Sequence, residues 1–182
     1  MFCATLDERR ILAGFQPMTL NLMIINPSGI WQYADYQGTD PYSGKVADDY
    51  LQKQIVLPCS DGSALMAFAG VGSVKVGYKT ASIAHWVLQI LRGEDRTLDQ
   101  SLILLRERAT EDLGPHMFTV GAVLDGRLWA VQIRNFEATS SGEVLAIRRE
   151  FSTVAREVSA RQKHVFYRAT EFCVRRRCCH AY

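Results

Sequence analysis

The sequence lacks the features that mark membrane, disulfide-stapled and disordered proteins. Its longest apolar runs, 64–69 and 102–105, fall far short of the roughly 20 residues that a membrane helix needs. Its five cysteines are odd in number and three lie in the last ten residues, so no disulfide framework is expected and a reducing, cytoplasmic location is favoured. The N-terminus has no long apolar core typical of a secretory signal. An apolar fraction of 48% and a charged fraction of 22% indicate one globular domain.

Charge is unevenly distributed along the chain. The formal net charge is +2, yet residues 146–182 contain nine Lys and Arg against three Asp and Glu. A basic end of this kind can contact nucleic acid, and the arginine run 175–177 is its most basic point. Few aromatic residues are interleaved with these charges, so a solvated tail is the favoured interpretation and no nucleic-acid partner is predicted.

Three pairs of apolar runs, each joined by a turn signal, predict three β-hairpins. The turns are Pro27-Ser28-Gly29, Asp61-Gly62 and Asp125-Gly126. Asp-Gly between apolar runs is a strong hairpin signal, because Gly accepts the positive φ that a tight turn requires. The predicted strands are 19–26 with 30–36, 54–58 with 64–70, and 117–124 with 128–133.

Two helical patterns lie between the second and third hairpins. Over 78–92 and again over 97–113, apolar residues recur at steps of three and four, and Thr97 with Gln100 forms a capping box. Strands followed by two helices and then more strands predict an α+β fold. Beyond Ile133 the pattern weakens, and 142–147, 153–162 and 164–167 are predicted as strand, short helix and strand.

The first hairpin carries residues suited to nucleophilic catalysis. Thr19 opens its first strand, Asp35 ends its second, and Lys53 immediately precedes the next strand. A Thr hydroxyl needs a base, and a free α-amine, with a pKa of about 7.7–8.0, serves as that base at an N-terminus. A buried Lys lowers the pKa of such an amine, and a carboxylate holds the Lys in place. Met18 precedes Thr19, so the free amine can arise from a start at Met18 or from removal of residues 1–18 as a leader.

This arrangement resembles the active site of the N-terminal nucleophile (Ntn) hydrolases. The most similar members are proteasome β subunits and, more closely, the peptidase subunit of the bacterial two-component ATP-dependent protease. In that family an Asp follows the Thr nucleophile by sixteen residues, as Asp35 follows Thr19, and the bacterial pattern Asp-x-Gln-small-Thr matches residues 35–39. The resemblance implies that Asp35 and Lys53 tune the amine, that the Gly70 N–H binds the oxyanion, and that the Thr39 backbone pairs with the substrate.

The resemblance also implies a fold and an activity. It covers roughly residues 19–133 and predicts an αββα sandwich over 19–182, two facing antiparallel sheets flanked by helices, with a divergent or truncated basic, Cys-rich end from about 168. The implied activity is that of a threonine peptidase or amidohydrolase that cleaves a peptide or small amide substrate without metal or cofactor. A ring-forming homo-oligomer and an ATPase partner are implied as well. The alternative is a catalytically inactive protein that keeps the fold for assembly or binding.

The individual residues also have purely structural interpretations. Thr19 is of a type favoured at strand starts, Asp35 of a type favoured in turns, and Lys53 of a type usually found on surfaces. Lys45 competes with Lys53 for the same role. These alternatives stay open from the sequence alone.

Two further motifs, a glycine pair and a group of cysteines near the C-terminus, each have a functional and a simpler structural interpretation. The glycines at 70 and 72 follow a strand, but their spacing is not that of a phosphate-binding loop, so nucleotide binding is not favoured. Cys173, Cys178, Cys179 and His180 are of zinc-ligand types, yet adjacent cysteines make a strained chelate. Free thiols are the favoured interpretation, and no metal site is predicted.

Overall fold

The fold is seen in a computed structural model that describes residues 21–36, 38–39, 46–48, 50–92, 95–138, 144–159 and 165–169. Its first strands are β1 (Asn21–Asn26), β2 (Gly29–Ala34), β3 (Gly38–Thr39), β4 (Val46–Asp48), β5 (Gln54–Cys59), β6 (Gly62–Gly70), β7 (Ser73–Val76) and β8 (Lys79–Ser82). The helices α1 (Ile83–Leu91) and α2 (Leu98–Asp112) follow. The remaining strands are β9 (His116–Leu124), β10 (Arg127–Ala138), β11 (Val144–Val158) and β12 (Val165–Ala169).

A five-stranded antiparallel sheet, in the order β11-β10-β9-β6-β5, is the centre of the fold. The predicted Asp-Gly turns join β5 to β6 and β9 to β10. At the second turn Asp125 and Gly126 adopt φ of 47° and 72°, the left-handed conformations that such a tight turn requires. The two hairpins meet where β6 pairs with β9, with Ala67 opposite Thr119.

A smaller antiparallel sheet, in the order β12-β1-β2, brings the last described strand beside the first. Along β1 the buried residues alternate with half-buried ones, so Asn21, Met23 and Ile25 face inward. The opposite face of this sheet carries Trp31 and Tyr33, which are 48% and 65% exposed. This sheet therefore has one buried and one open side over its described residues.

The small sheet packs on one face of the large sheet, and both helices pack on the other. Gly121 of β9 permits the close approach of the sheets, because a Cβ at this position would lie 2.7 Å from Ile30 Cγ2 and 2.9 Å from Met23 Sδ. On the opposite face, apolar residues of β5, β6, β9 and β10 form one core with residues of α1 and α2. The order of layers is therefore small sheet, large sheet, helices.

Local hydrogen bonds define where the helices begin. The predicted capping box is confirmed: Thr97 Oγ1 accepts from the Gln100 N–H (3.3 Å) and Gln100 Oε1 accepts from the Thr97 N–H (3.1 Å). Asp61, in the turn between β5 and β6, adds a cap because its Oδ1 accepts from the Leu98 N–H (2.8 Å). The helix is thereby tied to the sheet beneath it.

The structure moves the start of the first predicted helix. The helix predicted over 78–92 begins at Ile83, because Lys79–Ser82 forms a hairpin with Ser73–Val76 around Gly77, whose φ is +61°. Ser82 caps the helix, its hydroxyl accepting from the His85 N–H (3.2 Å). This hairpin was not predicted.

The short helix predicted over 153–162 is wrong. Residues through Val158 belong to β11, where Thr153 lies opposite Ile133 and Val158 opposite Leu128. β11 is an edge strand exposed at most of its described positions, so its sequence shows no clean alternation of apolar and polar residues. Its β-branched residues fit a strand better than a helix.

The predicted α+β class is confirmed, since antiparallel sheets and two helices make up the described chain. Neither helix in the described ranges has the length and apolar character needed to cross a membrane.

Candidate functional site

A buried ion pair joins Asp35 to Lys53. Asp35 directly follows β2, Lys53 directly precedes β5, and Lys53 Nζ donates to Asp35 Oδ1. The Lys53 side chain is only 3% exposed, whereas the Asp35 side chain is 31% exposed. A lysine ammonium is rarely buried this deeply without a carboxylate partner, because removing the charge from water is costly. The pair therefore holds the Lys53 side chain at a fixed position, and the Asp35 carboxylate is the more exposed partner.

Two hydrogen bonds hold the segments that carry this pair. On one side, Gln54 Nε2 donates to the Gln32 carbonyl (2.9 Å), which links β5 to β2. On the other side, the Leu51 N–H donates to the Tyr36 carbonyl (2.8 Å). Because the two bonds flank Lys53 and Asp35 in sequence, the ion pair is positioned by backbone geometry as well as by charge.

Gly70 ends β6 in a conformation that other residues rarely adopt. Its φ is +140°, and a Cβ here would lie 2.7 Å from His116 Cδ2 and 2.8 Å from the Pro115 carbonyl oxygen. Both the backbone conformation and the available space therefore require glycine. Since Gln54 lies opposite Ala67, the end of β6 runs past the strand start that carries Lys53. Gly70 thus lies at the same end of the large sheet as the ion pair.

A buried histidine fastens the chain after Gly70. His116 Nε2 lies 2.7 Å from the Val71 carbonyl oxygen, and His116 Nδ1 lies 3.3 Å from the Gly114 carbonyl oxygen. The shorter distance favours the neutral tautomer that carries its proton on Nε2. Burial lowers the pKa of His116 below its ordinary value of 6.5, although the two carbonyls act in the opposite direction.

Asn135 completes this polar cluster. Its Oδ1 accepts from the His116 N–H (3.0 Å), and its Nδ2 donates to the Gly114 carbonyl (3.1 Å). His116 and Asn135 are both buried, at 1% and 3% exposed. The hydrogen bonds fix the loop that follows β6, so the cluster has a structural role at the border of the candidate site.

Asn21, the first residue of β1, has a side-chain amide without a hydrogen-bond partner among the described residues. It is 1% exposed, and neither its Oδ1 nor its Nδ2 has a hydrogen-bond partner within the part of the chain that the structure describes. Asn21 lies opposite Ala34, the residue before Asp35. A buried unpaired carboxamide therefore lies one residue from the ion pair.

The sequence-predicted site residues fall into three groups. Asp35 and Lys53 are in direct contact, and Gly70 lies at the same end of the sheet. Thr19 and the competing Lys45 lie outside the described residues. The Thr39 backbone, predicted to pair with substrate, lies opposite Val46 in the β3–β4 pair.

Sequence reasoning missed Asn21, His116 and Asn135. His116 follows Gly114-Pro115 and opens a strand, which marks it only as a strand start; its partner Gly70 is far away in sequence. Asn21 occupies an inward-facing position in a strand whose other inward residues are apolar. That break in the apolar pattern is the one signal from which it could have been found.

The glycine loop after β6 and the cysteine-rich end are the two other motifs that the sequence offered as binding sites. The β7–β8 hairpin separates the glycines at 70 and 72 from α1, so these glycines do not open a helix as a phosphate-binding loop does. The described ranges contain no group of three or more His, Cys, Asp or Glu suited to hold a metal ion. The cysteines at 173, 178 and 179 and His180 lie outside them.

Comparison of the chain with protein-family models, with curated proteins and with solved structures finds no match.

Proposed function

We propose that this protein is an amidohydrolase or peptidase of the N-terminal nucleophile type, with Thr19 as nucleophile. The observation that carries the proposal is the ion pair between Asp35 and Lys53, two residues singled out by sequence pattern and joined in a buried position. The resemblance assigns these residues to the tuning of a free Thr amine. Asn21 lies opposite Ala34, the residue before Asp35, and Thr19 precedes Asn21 by two positions in the sequence.

The proposed mechanism uses the chain's own groups. Residues 1–18 are removed or never translated, which frees the Thr19 amine. That amine takes the proton of the Thr19 hydroxyl, the oxygen attacks the substrate carbonyl, and the leaving amine departs with the proton to give an acyl-enzyme that water then hydrolyses. The Lys53 ammonium keeps the amine unprotonated by charge repulsion, and Asp35 keeps Lys53 charged. Gly70 is assigned to the oxyanion.

The layers support the fold that this proposal requires. Two antiparallel sheets in contact, with helices on the outer face of one, are compatible with three layers of an αββα sandwich. The second helical layer of such a sandwich would cover the open side of the small sheet. In the described chain that side carries exposed Trp31 and Tyr33.

The same open side favours the second candidate, a catalytically inactive protein of this fold that serves assembly or binding. Exposed aromatic residues on a sheet face are typical of interaction surfaces. This candidate predicts an association that does not depend on Thr19. It also predicts no turnover from any N-terminus.

One experiment separates the two candidates. The chain is expressed from Met1 and from Met18, and the mass and N-terminal sequence of each purified product are read. Turnover is then followed with a library of short fluorogenic peptide amides. The proposal expects a Thr19 N-terminus in the active product and at least about a thousandfold loss of turnover in Thr19→Ala.

Thr97→Ala is the matched control, because it removes a hydroxyl of the same type from a helix cap instead of the first hairpin. It should keep wild-type turnover at a temperature where the protein is folded. Active protein that retains Met1, or unchanged turnover in Thr19→Ala, would refute the proposed mechanism.

A further inference from the structure

The inward face of the small sheet carries two carboxamides in very different environments. Asn21, Met23 and Ile25 on β1 lie opposite Ala34, Gln32 and Ile30 on β2, and these six positions face the large sheet. Asn21 and Gln32 are the polar residues among them. The two side-chain amides differ in their hydrogen bonds, and this difference indicates a different role for each.

The Gln32 carboxamide is satisfied by the protein itself. In one orientation of the amide, Nε2 donates to the Thr119 carbonyl (3.3 Å). In the other, Nε2 donates to the Met66 carbonyl (3.2 Å) and Oε1 accepts from the Ala67 N–H (2.9 Å). Gln32 therefore bonds to the backbone of the large sheet in either orientation, as expected for a structural residue.

Asn21 is different because its amide is buried and unused. It is 1% exposed, and both polar atoms of its carboxamide are without a partner across the described ranges. A buried donor and acceptor left unpaired destabilise a folded protein, and an apolar residue of similar size would avoid this cost. Retention of an amide at this position calls for a partner outside the described chain.

The surroundings of Asn21 suggest what that partner is. Asn21 lies opposite Ala34, the residue before Asp35, which pairs with Lys53. A carboxamide offers one acceptor and one set of donors, which complement the N–H and C=O of an amide. In the mature chain of the proposed function, Asn21 is the third residue and the chain ahead of it is two residues long.

We propose that Asn21 is a substrate-binding residue of this site: Nδ2 donates to a carbonyl and Oδ1 accepts from an N–H of a peptide or small amide substrate. This inference rests on the proposed function, because it concerns the same site. It names the ligand class as one that presents an intact amide group, and it assigns Asn21 to binding instead of to bond cleavage.

The first test compares Asn21→Leu with Gln32→Leu in thermal unfolding. Leu has nearly the shape of Asn but no polar atoms, so Asn21→Leu should raise the Tm by about 2–4 °C, since it removes an unpaired buried amide. Gln32→Leu is the matched control on the same face. It should lower the Tm, because it leaves backbone groups of the large sheet unpaired. A lower Tm for Asn21→Leu would overturn the inference, because it would mean that the chain itself satisfies the amide.

The second test measures binding in the absence of turnover. The probes are an N-acetylated tripeptide amide with apolar side chains and its ester analogue, in which one backbone N–H is replaced by oxygen. They are titrated into the Thr19→Ala protein, with the N-terminus found in the mature form. With Asn21 present, replacing the N–H by oxygen at one position along the tripeptide should weaken binding about tenfold relative to the amide.

Asn21→Leu in the same background should bind the amide and the ester equally, with the amide weakened about tenfold. If Asn21→Leu still bound the amide more tightly than the ester, the inference would be overturned. The result is separable from that of the proposed function. If Thr19→Ala loses turnover but Asn21→Leu still binds the amide more tightly than the ester, only the role of Asn21 is contradicted. If the preference for the amide over the ester depends on Asn21 but the wild-type protein shows no turnover, binding by Asn21 is supported. Only the proposed chemistry is then contradicted.

Discussion

The buried pair between Lys53 and Asp35 predicts an asymmetry between two single substitutions. Removing one partner of a buried ion pair commonly costs about 3–5 kcal/mol, because the other charge is left without compensation. Here the two partners differ, since the Lys53 side chain is 3% exposed and the Asp35 side chain is 31% exposed. In Asp35→Asn the Lys53 ammonium loses a carboxylate partner at a position that water scarcely reaches, whereas in Lys53→Met the Asp35 carboxylate stays partly exposed to water.

Asp35→Asn should therefore be the more damaging change. The Asn oxygen still accepts a hydrogen bond from Lys53, so we expect a loss of about 2–3 kcal/mol, somewhat below the usual range. Lys53→Met places an apolar chain of similar length in the buried space and leaves a carboxylate that water reaches. We expect it to cost about 1 kcal/mol. The double variant should be more stable than Asp35→Asn alone, because it no longer buries an ammonium that has lost its carboxylate.

Urea unfolding at pH 7, followed by circular dichroism, measures these differences through the midpoint at constant m. Glu111→Gln is the control, because it removes an exposed ion pair with Arg108 whose side chains are 60% and 55% exposed. It should cost no more than about 0.5 kcal/mol. If Lys53→Met is as damaging as Asp35→Asn, burial of the ammonium is not the dominant effect and the two partners contribute alike.

Three further predictions concern the parts of the fold that support the site. Because burial lowers the pKa of His116 in the folded state, the unfolded state takes up the proton first as the pH falls below about 6.5, and stability should fall by up to about 1.4 kcal/mol per pH unit. His116→Gln should flatten this dependence in urea unfolding from pH 8 to pH 5, while the exposed His85→Gln should leave it in place. Gly121→Val should cost about 1–3 kcal/mol, because its Cβ would meet Ile30 at 2.7 Å; stability within 0.5 kcal/mol of wild type would mean that the sheets separate easily. Thr97→Ala should cost about 1 kcal/mol of unfolding free energy through loss of the helix cap, and no loss would show that the Asp61 cap suffices.

The β7–β8 hairpin and β11 show where prediction from the local sequence pattern failed. Hairpins were predicted well because turn residues and apolar runs are adjacent in sequence. The β7–β8 hairpin was missed because its turn contains a lone Gly77, and its residues blend into the helical pattern of α1. The sequence of β11 predicts a helix over part of its length, because an edge strand exposed on both sides shows no alternation of apolar and polar residues.

The candidate site also combines features that the sequence predicts with features that only the tertiary structure shows. Asp35 and Lys53 could be named from spacing, since each stands at the boundary of a predicted strand. That they form a pair, and that Lys53 rather than Asp35 is the buried member, depends on how β2 lies against β5. Asn21 is marked in the sequence only by the break that it makes in an apolar pattern, because its unpaired amide and the lowered pKa of His116 are properties of surroundings built from distant segments.

By itself the sequence determined the three predicted hairpins, the capping box of α2, the α+β class and the identity of the residues that suggest N-terminal nucleophile chemistry. These depend on turn conformation, side-chain period and residue type, which act over a few neighbouring positions. The tertiary structure alone decided that β12 lies beside β1, that Gly121 lets the two sheets meet, and that Asp35 pairs with Lys53. Such pairings depend on burial and on hydrogen bonds between segments far apart in the chain, and no local pattern encodes which segments meet.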